Sequence, residues 1–352
     1  MQHEQFTILI DKKPVDQSFY SDLLDLEVEL DDDLAAQFRL RLAISSSDQA
    51  GGWSYLDDED LSVWCQVTIR AGLSDGDEEL ISGYITHLRP TFDLNDLSRC
   101  TLEIQGMDGS VRLDREEKLK AWPNKTDSNI ASEIFKNDHA LATQIIETRL
   151  VHDDKVSTII QRETDMQFLR RLAARNGFEC YVEGTTGYFR PPQLGEPPQP
   201  AINQASLSRF SVEVNALAPA NLAMWQIDRA DKTVLDVSVA AGQQQILGKR
   251  GAASLLRPNI NPALAIVGQA TTGRPEMRAL AQGLYHQAEW FVTGEGELNA
   301  NIYGHVLKPR RTVTIEGVGD AYSGVYYVSH VTHSLSRDGY RQHFRVRRNA
   351  LG

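Results

Sequence analysis

The amino-acid sequence predicts a mainly β protein, with two antiparallel β-barrels per chain joined by an α+β segment. Three observations carry that prediction. One strand pattern occurs twice. The first copy reads Val67-Thr68-Ile69, Ser82-Gly83-Tyr84-Ile85-Thr86-His87-Leu88 and Cys100-Thr101-Leu102-Glu103-Ile104. The second reads Val313-Thr314-Ile315, Ser323-Gly324-Val325-Tyr326-Tyr327-Val328-Ser329-His330-Val331 and His343-Phe344-Arg345-Val346-Arg347, in the same order and at nearly the same spacing. Such recurrence marks one β unit used twice. Apolar and polar residues also alternate with period two up to about residue 112, and a helical period replaces that alternation between about 113 and 190.

Residues 1–112 form the expected first barrel. Runs such as Phe6-Thr7-Ile8-Leu9-Ile10, Leu26-Glu27-Val28-Glu29-Leu30 and Phe38-Arg39-Leu40-Arg41-Leu42 read as strands with one wet face. Asp75-Gly76-Asp77 and Asn95-Asp96 supply turns. Closure into a barrel removes the exposed edges of so many short strands.

Residues 113–205 form the α+β middle domain. Thr126-Asp127 opens one helix, with Ile130, Ala131, Ile134 and Phe135 on one face. Thr164 and Gln167 form a capping box for a second, with Phe168, Leu169, Leu172 and Ala173 as its buried stripe and Gly177 as its stop. Strand-like runs lie at Val156 to Ile160 and at Phe178-Glu179-Cys180-Tyr181-Val182. The proline-rich stretch from Arg190 to Pro200 is expected as an exposed linker, because proline lacks an N–H donor.

Residues 206–352 form the second barrel. Its strands begin at Phe210-Ser211-Val212-Glu213-Val214, Met224-Trp225-Gln226-Ile227 and Val234-Leu235-Asp236-Val237. A helical excursion follows at about 274–292, with Pro275 in its first turn and Met277, Leu280, Leu284, Ala288 and Phe291 along one stripe. The second copy of the repeat then closes the chain.

A net charge of −12 argues against nucleic acid as a partner, since phosphate binding needs a basic surface. No apolar run approaches the roughly 20 residues of a membrane span, and Met1-Gln2-His3-Glu4-Gln5 carries no Sec-type signal, so synthesis and assembly are expected in the cytosol. Cys65, Cys100 and Cys180 fit neither a zinc site nor a disulfide framework and are expected as buried thiols. Charge is unevenly spread: acids dominate the first 60 residues, including Asp31-Asp32-Asp33 and Asp57-Asp58-Glu59-Asp60, whereas Lys308, Arg310, Arg311, Arg337, Arg341, Arg345, Arg347 and Arg348 dominate after Glu297. Complementary potentials would favour repeat one of one subunit beside repeat two of the next, a head-to-tail contact that closes into a ring.

No catalytic, cofactor or metal constellation emerges. His330 and His333 stand three apart on a strand and so face opposite sides, which prevents chelation of one ion. His286 and Glu289 lack the second histidine of a helical zinc protease site, and Gly294-Glu295-Gly296 neither follows a strand nor opens a helix as a dinucleotide fingerprint does. No pair of acids stands out as glycosidase carboxylates.

Four stretches together resemble a known family, the phage late control protein D group. That group includes the baseplate hub proteins of contractile tails and the N-terminal part of type VI secretion VgrG spikes. The stretches are Ser82 to Ile85 with Leu102 to Ser110, Trp122 to Ala131, Gln161 to Ala173 with Gly177, and Gly324 to Val328 through Arg347-Arg348-Asn349. The resemblance implies two tube-like barrels around an α+β segment, three subunits per ring, and hence six barrels around a channel. The implied function is a structural baseplate hub of a phage tail or phage-like contractile injection system, adapting a sixfold inner tube to a threefold spike. It would be assembled in the bacterial cytoplasm and carried in the baseplate of a virion or extracellular particle. Implied partners are two further copies of the chain, a separate spike protein, an inner tube or tube-initiator protein, and other baseplate proteins. VgrG chains continue into further domains beyond the point matching Gly352, which is why the spike is expected as a separate polypeptide. Where the family often has glycine after the proline of Leu307-Lys308-Pro309, this chain has Arg310. Under this reading Asp31, Asp32, Asp33, Arg345, Arg347 and Arg348 are the expected intersubunit residues. Two other classes remain open: a cell-wall hydrolase or its carrier within a spike complex, and a receptor- or sugar-binding β-module.

Overall fold

The computed structural model describes residues 6–46, 52–56, 61–73, 76–155, 158–217, 221–228, 231–257, 260, 264–268, 271–336 and 339–352. Met1 to Gln5, the acidic run at 57–60, the turn residue Asp75, the first two residues of the run at 156–160 and Arg337 lie outside them.

The first unit holds strands β1 (Phe6–Ile10), β2 (Lys13–Pro14), β3 (Leu23–Asp31), β4 (Gln37–Ala43), β5 (Gln66–Leu73), β6 (Gly76–Thr91) and β7 (Thr101–Asp108), with a short helix α1 (Gln17–Asp22) capped by Asp16. Period-two patterning decides their faces: Phe38, Leu40 and Leu42 of β4 are buried while Gln37, Arg39 and Arg41 turn outward. The inward residues build one core with Ile8, Val28, Val67, Ile69, Ile85 and Ile104.

The middle segment holds β8 (Glu117–Trp122), β9 (Lys125–Thr126), α2 (Asp127–Glu133), β10 (Ala142–Ile145), β11 (Val151–His152), β12 (Ile159–Thr164), α3 (Asp165–Asn176), β13 (Glu179–Glu183) and β14 (Thr186–Arg190). Both expected helix starts are present. The Asn129 N–H donates to Thr126 Oγ1 at 3.2 Å, the Gln167 N–H donates to Thr164 Oγ1 at 3.3 Å, and Gly177 ends α3 with a left-handed φ of 66°. Phe135, Phe168, Leu169, Leu172 and Phe189 form a second core.

β15 (Gln199–Ile202) then departs from the expected exposed linker. It pairs in parallel with a later strand, and Gln199 exchanges two side-chain hydrogen bonds with the backbone of Lys308. Leu194 is buried against Leu247 and Tyr327. Proline is tolerated here because β15 lies at a sheet margin.

The remaining chain comprises β16 (Leu207–Val214), β17 (Asn221–Ile227), β18 (Val234–Val239), β19 (Leu264–Val267), α4 (Arg274–Ala288), β20 (Val292–Asn299), α5 (Ala300–Tyr303), β21 (Thr312–Ile315), β22 (Gly324–Ser336) and β23 (Gly339–Arg348). The runs expected in a second barrel divide between two sheets. β16 joins the large sheet, whereas β17, β18 and β19 form their own three-stranded sheet, whose Leu222, Met224, Val237 and Val239 pack on Met277, Leu280, Ala281 and Tyr285 of α4. The apolar stripe of α4 requires a cover, and this small sheet supplies it.

The duplicated pattern appears as two equivalent meanders, β5–β6–β7 and β21–β22–β23, each continued by two more strands. Hydrogen-bonded order runs β16-β20-β23-β22-β3-β4-β7-β6-β5-β1-β2, so the two units expected as separate barrels belong to one sheet of 13 strands. Each unit keeps its own core, the second built on Ile202, Val292, Leu298, Val313, Ile315, Tyr326, Val331 and Phe344. Register irregularities fall at matching places: between Ile85 and His87 as between Val328 and His330, and between Leu23 and Asp25 as between Leu207 and Arg209. Following the ladders makes Ile85, Gly106, Phe38 and Val28 the counterparts of Val328, Val346, Gly294 and Val212.

Glycine is required where β6 crosses β7. A Cβ at Gly83 would stand 2.0 Å from the Met107 carbonyl oxygen, and one at Gly106 would stand 2.1 Å from the Phe38 ring. The Gly83 clash is with backbone, which cannot rotate away. Gly83→Ala is therefore expected to destabilise the chain by about 1–3 kcal/mol, read as a lower urea midpoint; an unchanged midpoint would refute the close approach.

Candidate functional site

The ladder alternation leaves one face of the shared sheet polar across both units. A single row of cross-strand neighbours reads Asn299, Arg341, Ser334, Glu27, Arg39, Gln105 and His87 over seven strands. Charge alternates by strand: β20 and β3 contribute acids, β23 and β4 bases. Arg41 lies 2.6 Å from Asp25, Arg341 lies 2.6 Å from Glu297, Arg39 lies 3.5 Å from Glu27 and Arg89 lies 4.0 Å from Glu103. Each exposed pair adds little stability. Together they set opposite charges beside one another across the face.

Beside this face, β22 and β3 meet at a buried polar junction that contains most of the charged residues expected at subunit contacts. His330 Nδ1 lies 3.0 Å from Asp31 Oδ2, and the Asp33 and Leu34 N–H groups each donate to Asp31 at 2.9 Å. Burial raises the Asp31 pKa, but these hydrogen bonds win and hold it at about 2. Arg347 Nη2 lies 2.6 Å from Asp32 Oδ2 in the same chain, and its guanidinium stands over the Trp290 and Tyr327 rings. Arg348 is 1% exposed; it donates to the carbonyls of Leu247 and Ser323 and stacks over Tyr326. Within one chain Asp32 and Arg347 thus pair with each other, and Arg348 is enclosed. Only Asp33 and Arg345 of the six are exposed.

Sequence reasoning missed the partner this junction takes from the middle segment. Glu179 of β13 is buried and accepts a hydrogen bond from the Tyr327 hydroxyl. Burial pushes its pKa up, the Tyr327 bond opposes that, and the nearby Asp32 charge adds to the rise, which reaches about 7. Asp32, raised by burial against the pull of Arg347, stands at about 6. The signal available in the sequence was Glu179 itself, a carboxylate within an otherwise apolar strand.

The middle segment repeats one device at both helix starts. Asp127 and Asp165 follow the capping threonines, and both are 1% exposed. Asp127 lies 2.7 Å from His152 Nε2 and accepts from Asn176. Asp165 lies 2.7 Å from His139 Nε2 and accepts from Lys118 and Gln161. Burial raises the Asp165 pKa, but the bonds from His139, Lys118 and Gln161 overcome it and hold it at about 2. These Asp–His pairs tie loops to helix starts. His330 and His333 take different partners, Asp31 and the Tyr340 hydroxyl. Among the described residues no three His, Cys, Asp or Glu side chains converge as a metal site, and no helix is long and apolar enough to cross a membrane.

A family model described as the Alg8 N-terminal domain matches residues 5–337. No curated protein matches the sequence. Among solved structures, the chain is similar to the 43 kDa tail protein of prophage MuSo2 from Shewanella oneidensis, with a TM-score of 0.69 at 13% identity over 99% of both chains. It is similar to a tail protein of Neisseria meningitidis, with a TM-score of 0.67 at 14% identity over 98% of this chain and 96% of the other. A third similar structure is a component of the Escherichia coli type VI secretion system, described as structurally similar to the T4 bacteriophage tail proteins gp27 and gp5. Its TM-score is 0.54 at 13% identity, over 92% of this chain and 73% of the other. At these identities the likeness is one of fold.

The junction carries a pH dependence whose sign follows from Glu179. Its folded pKa lies above the unfolded one, so its stabilising contribution is complete below about pH 4.5 and is lost as pH rises through about 7. Glu179→Gln keeps an acceptor for Tyr327 and cannot ionise. By urea unfolding the variant is expected to exceed the parent at pH 8 by on the order of 1–3 kcal/mol and to match it near pH 4.5. A variant less stable than the parent at pH 8 would overturn the assignment.

Proposed function

Since the chain belongs to the Alg8 N-terminal domain family and shares the fold of phage tail proteins over nearly its whole length, we propose that it is a non-enzymatic structural hub of a contractile tail or injection particle. In this reading it belongs with the late control protein D group. Three copies form a ring of six β units that meets a sixfold inner tube on one side and a separate threefold spike on the other. The ring assembles in the bacterial cytoplasm, together with other baseplate proteins, and becomes part of a virion or extracellular particle.

The observation that carries the proposal is the junction inside the chain. Residues 330–335 of β22 pair with residues 26–31 of β3, joining the second unit head-to-tail to the first. A heterologous contact repeated between chains closes a ring when its rotation permits. The edges for that repetition are present. Residues 86–91 of β6 are the counterpart of the β22 segment that grips β3, and among the described residues they pair only with β7. β16, the counterpart of β3, pairs among the described residues only with β20. Carrying the in-chain register across subunits sets Arg89 opposite Glu213 of the partner subunit, as Thr332 stands opposite Glu29. Arg89 has a side chain 78% exposed and Glu213 is exposed. The polar sheet face then lines the passage, while cores and helices lie outside it. Asp33 and Arg345, still exposed, are proposed as subunit contacts outside that strand pairing.

Native mass spectrometry of the purified chain, alone and co-expressed with neighbouring tail genes, should give a trimer. Arg89→Glu and Glu213→Lys should each weaken that trimer by about tenfold or more, and the double exchange should restore it, because complementary rim charges fix register. A monomer under every condition would defeat the hub reading. A trimer indifferent to both exchanges would retain the hub and reject this edge as its interface.

A further inference from the structure

A cleft of about 690 Å³ opens between the start of β6, the β13–β14 hairpin and the segment 308–311. Its cationic wall is a stacked ladder. Tyr181 and Tyr188 lie face to face at 4.5 Å with 6° between their planes, Arg310 stands 3.8 Å over Tyr181, and Arg190 stands 4.7 Å over Tyr188. Arg190 also donates to the Tyr181 hydroxyl at 2.8 Å. Stacking uses the flat faces of the guanidiniums and leaves their edges as hydrogen-bond donors.

One donor on each guanidinium lacks an acceptor. The Nε atoms of Arg190 and Arg310 are buried with no hydrogen-bond partner among the described residues. The acids whose charge reaches Arg310 are engaged elsewhere: Asp32 with Arg347, Glu179 with Tyr327, and Asp108 with the N–H groups of Ala36 and Ser110. A buried donor without a partner is costly. Arg310 carries a second cost, a left-handed φ of 63° that a side chain rarely adopts. Backbone strain together with unsatisfied charge at one cleft-lining residue is the pattern of a binding position.

The geometry points to this cleft as a receptor site for a single carboxylate, borne by an otherwise neutral extended peptide from a partner protein. Guanidinium edges suit the planar oxygen pair of a carboxylate. Lys308 and Arg311 line the same cleft, but Lys308 is paired with Glu78 at 3.0 Å, and the lining acids Glu79, Glu183 and Glu196 disfavour phosphate dianions and polyanions.

The probes are a library of neutral hexapeptides with free C-terminal carboxylates, the same library amidated, and inorganic phosphate as competitor, read by fluorescence anisotropy on the full chain. Free-acid peptides should bind about tenfold or more tightly than their amides, and millimolar phosphate should leave them bound. Arg310→Gly supplies the residue that its φ favours, and Arg190→Gln is nearly isosteric. Each should lower free-acid affinity to the amide level while the circular dichroism stays that of the folded parent. Equal binding of acid and amide, no binding from either library, full competition by phosphate, or undiminished binding by both folded variants would overturn the proposal.

Discussion

Residues 324–327 of β22 hydrogen-bond to β21, and residues 330–335 of the same strand hydrogen-bond to β3 almost 300 positions earlier. A strand can change partners along one edge only if it bends between them, and the irregularity between Val328 and His330 supplies the bend. The rest of the molecule follows from that exchange. It turns two β units into one sheet, brings Asp31 to His330 and Asp32 to Arg347, and presents the polar rows of both units on a common face.

The junction also explains how the middle segment is held. β13 approaches the point where β22 leaves β21, and Glu179 bonds Tyr327 there while Arg347 stands over the Trp290 and Tyr327 rings. Three distant stretches of chain therefore converge on a few buried charges, whose desolvation is offset by the contacts they make with one another.

Duplication has a geometric meaning in this setting. Matching irregularities in β6 and β22, and in β3 and β16, give both units the same bends at the same places. Each unit also carries its own additions: β1, β2 and α1 on one, and β15 and the β17–β19 sheet with α4 on the other. The proposed ring uses the common part, which leaves the added parts free to serve other contacts.

Period-two alternation in β3 and β4, the capping threonines of α2 and α3, Gly177 and the repeated strand order were all legible in the sequence, because each rests on local geometry: which way a side chain points, or which N–H lacks a partner. The charges were legible as opposite in sign but not in destination. Asp32 and Arg347 were expected at or near subunit contacts; within this chain they pair with each other, and Arg348 is buried. β15 and the small sheet on α4 were equally hidden, since their partners lie far away in sequence. Alternation identifies a wet face but not its neighbour. Only tertiary structure selects the neighbour, because strand pairing is decided by the two cores that must be buried at once.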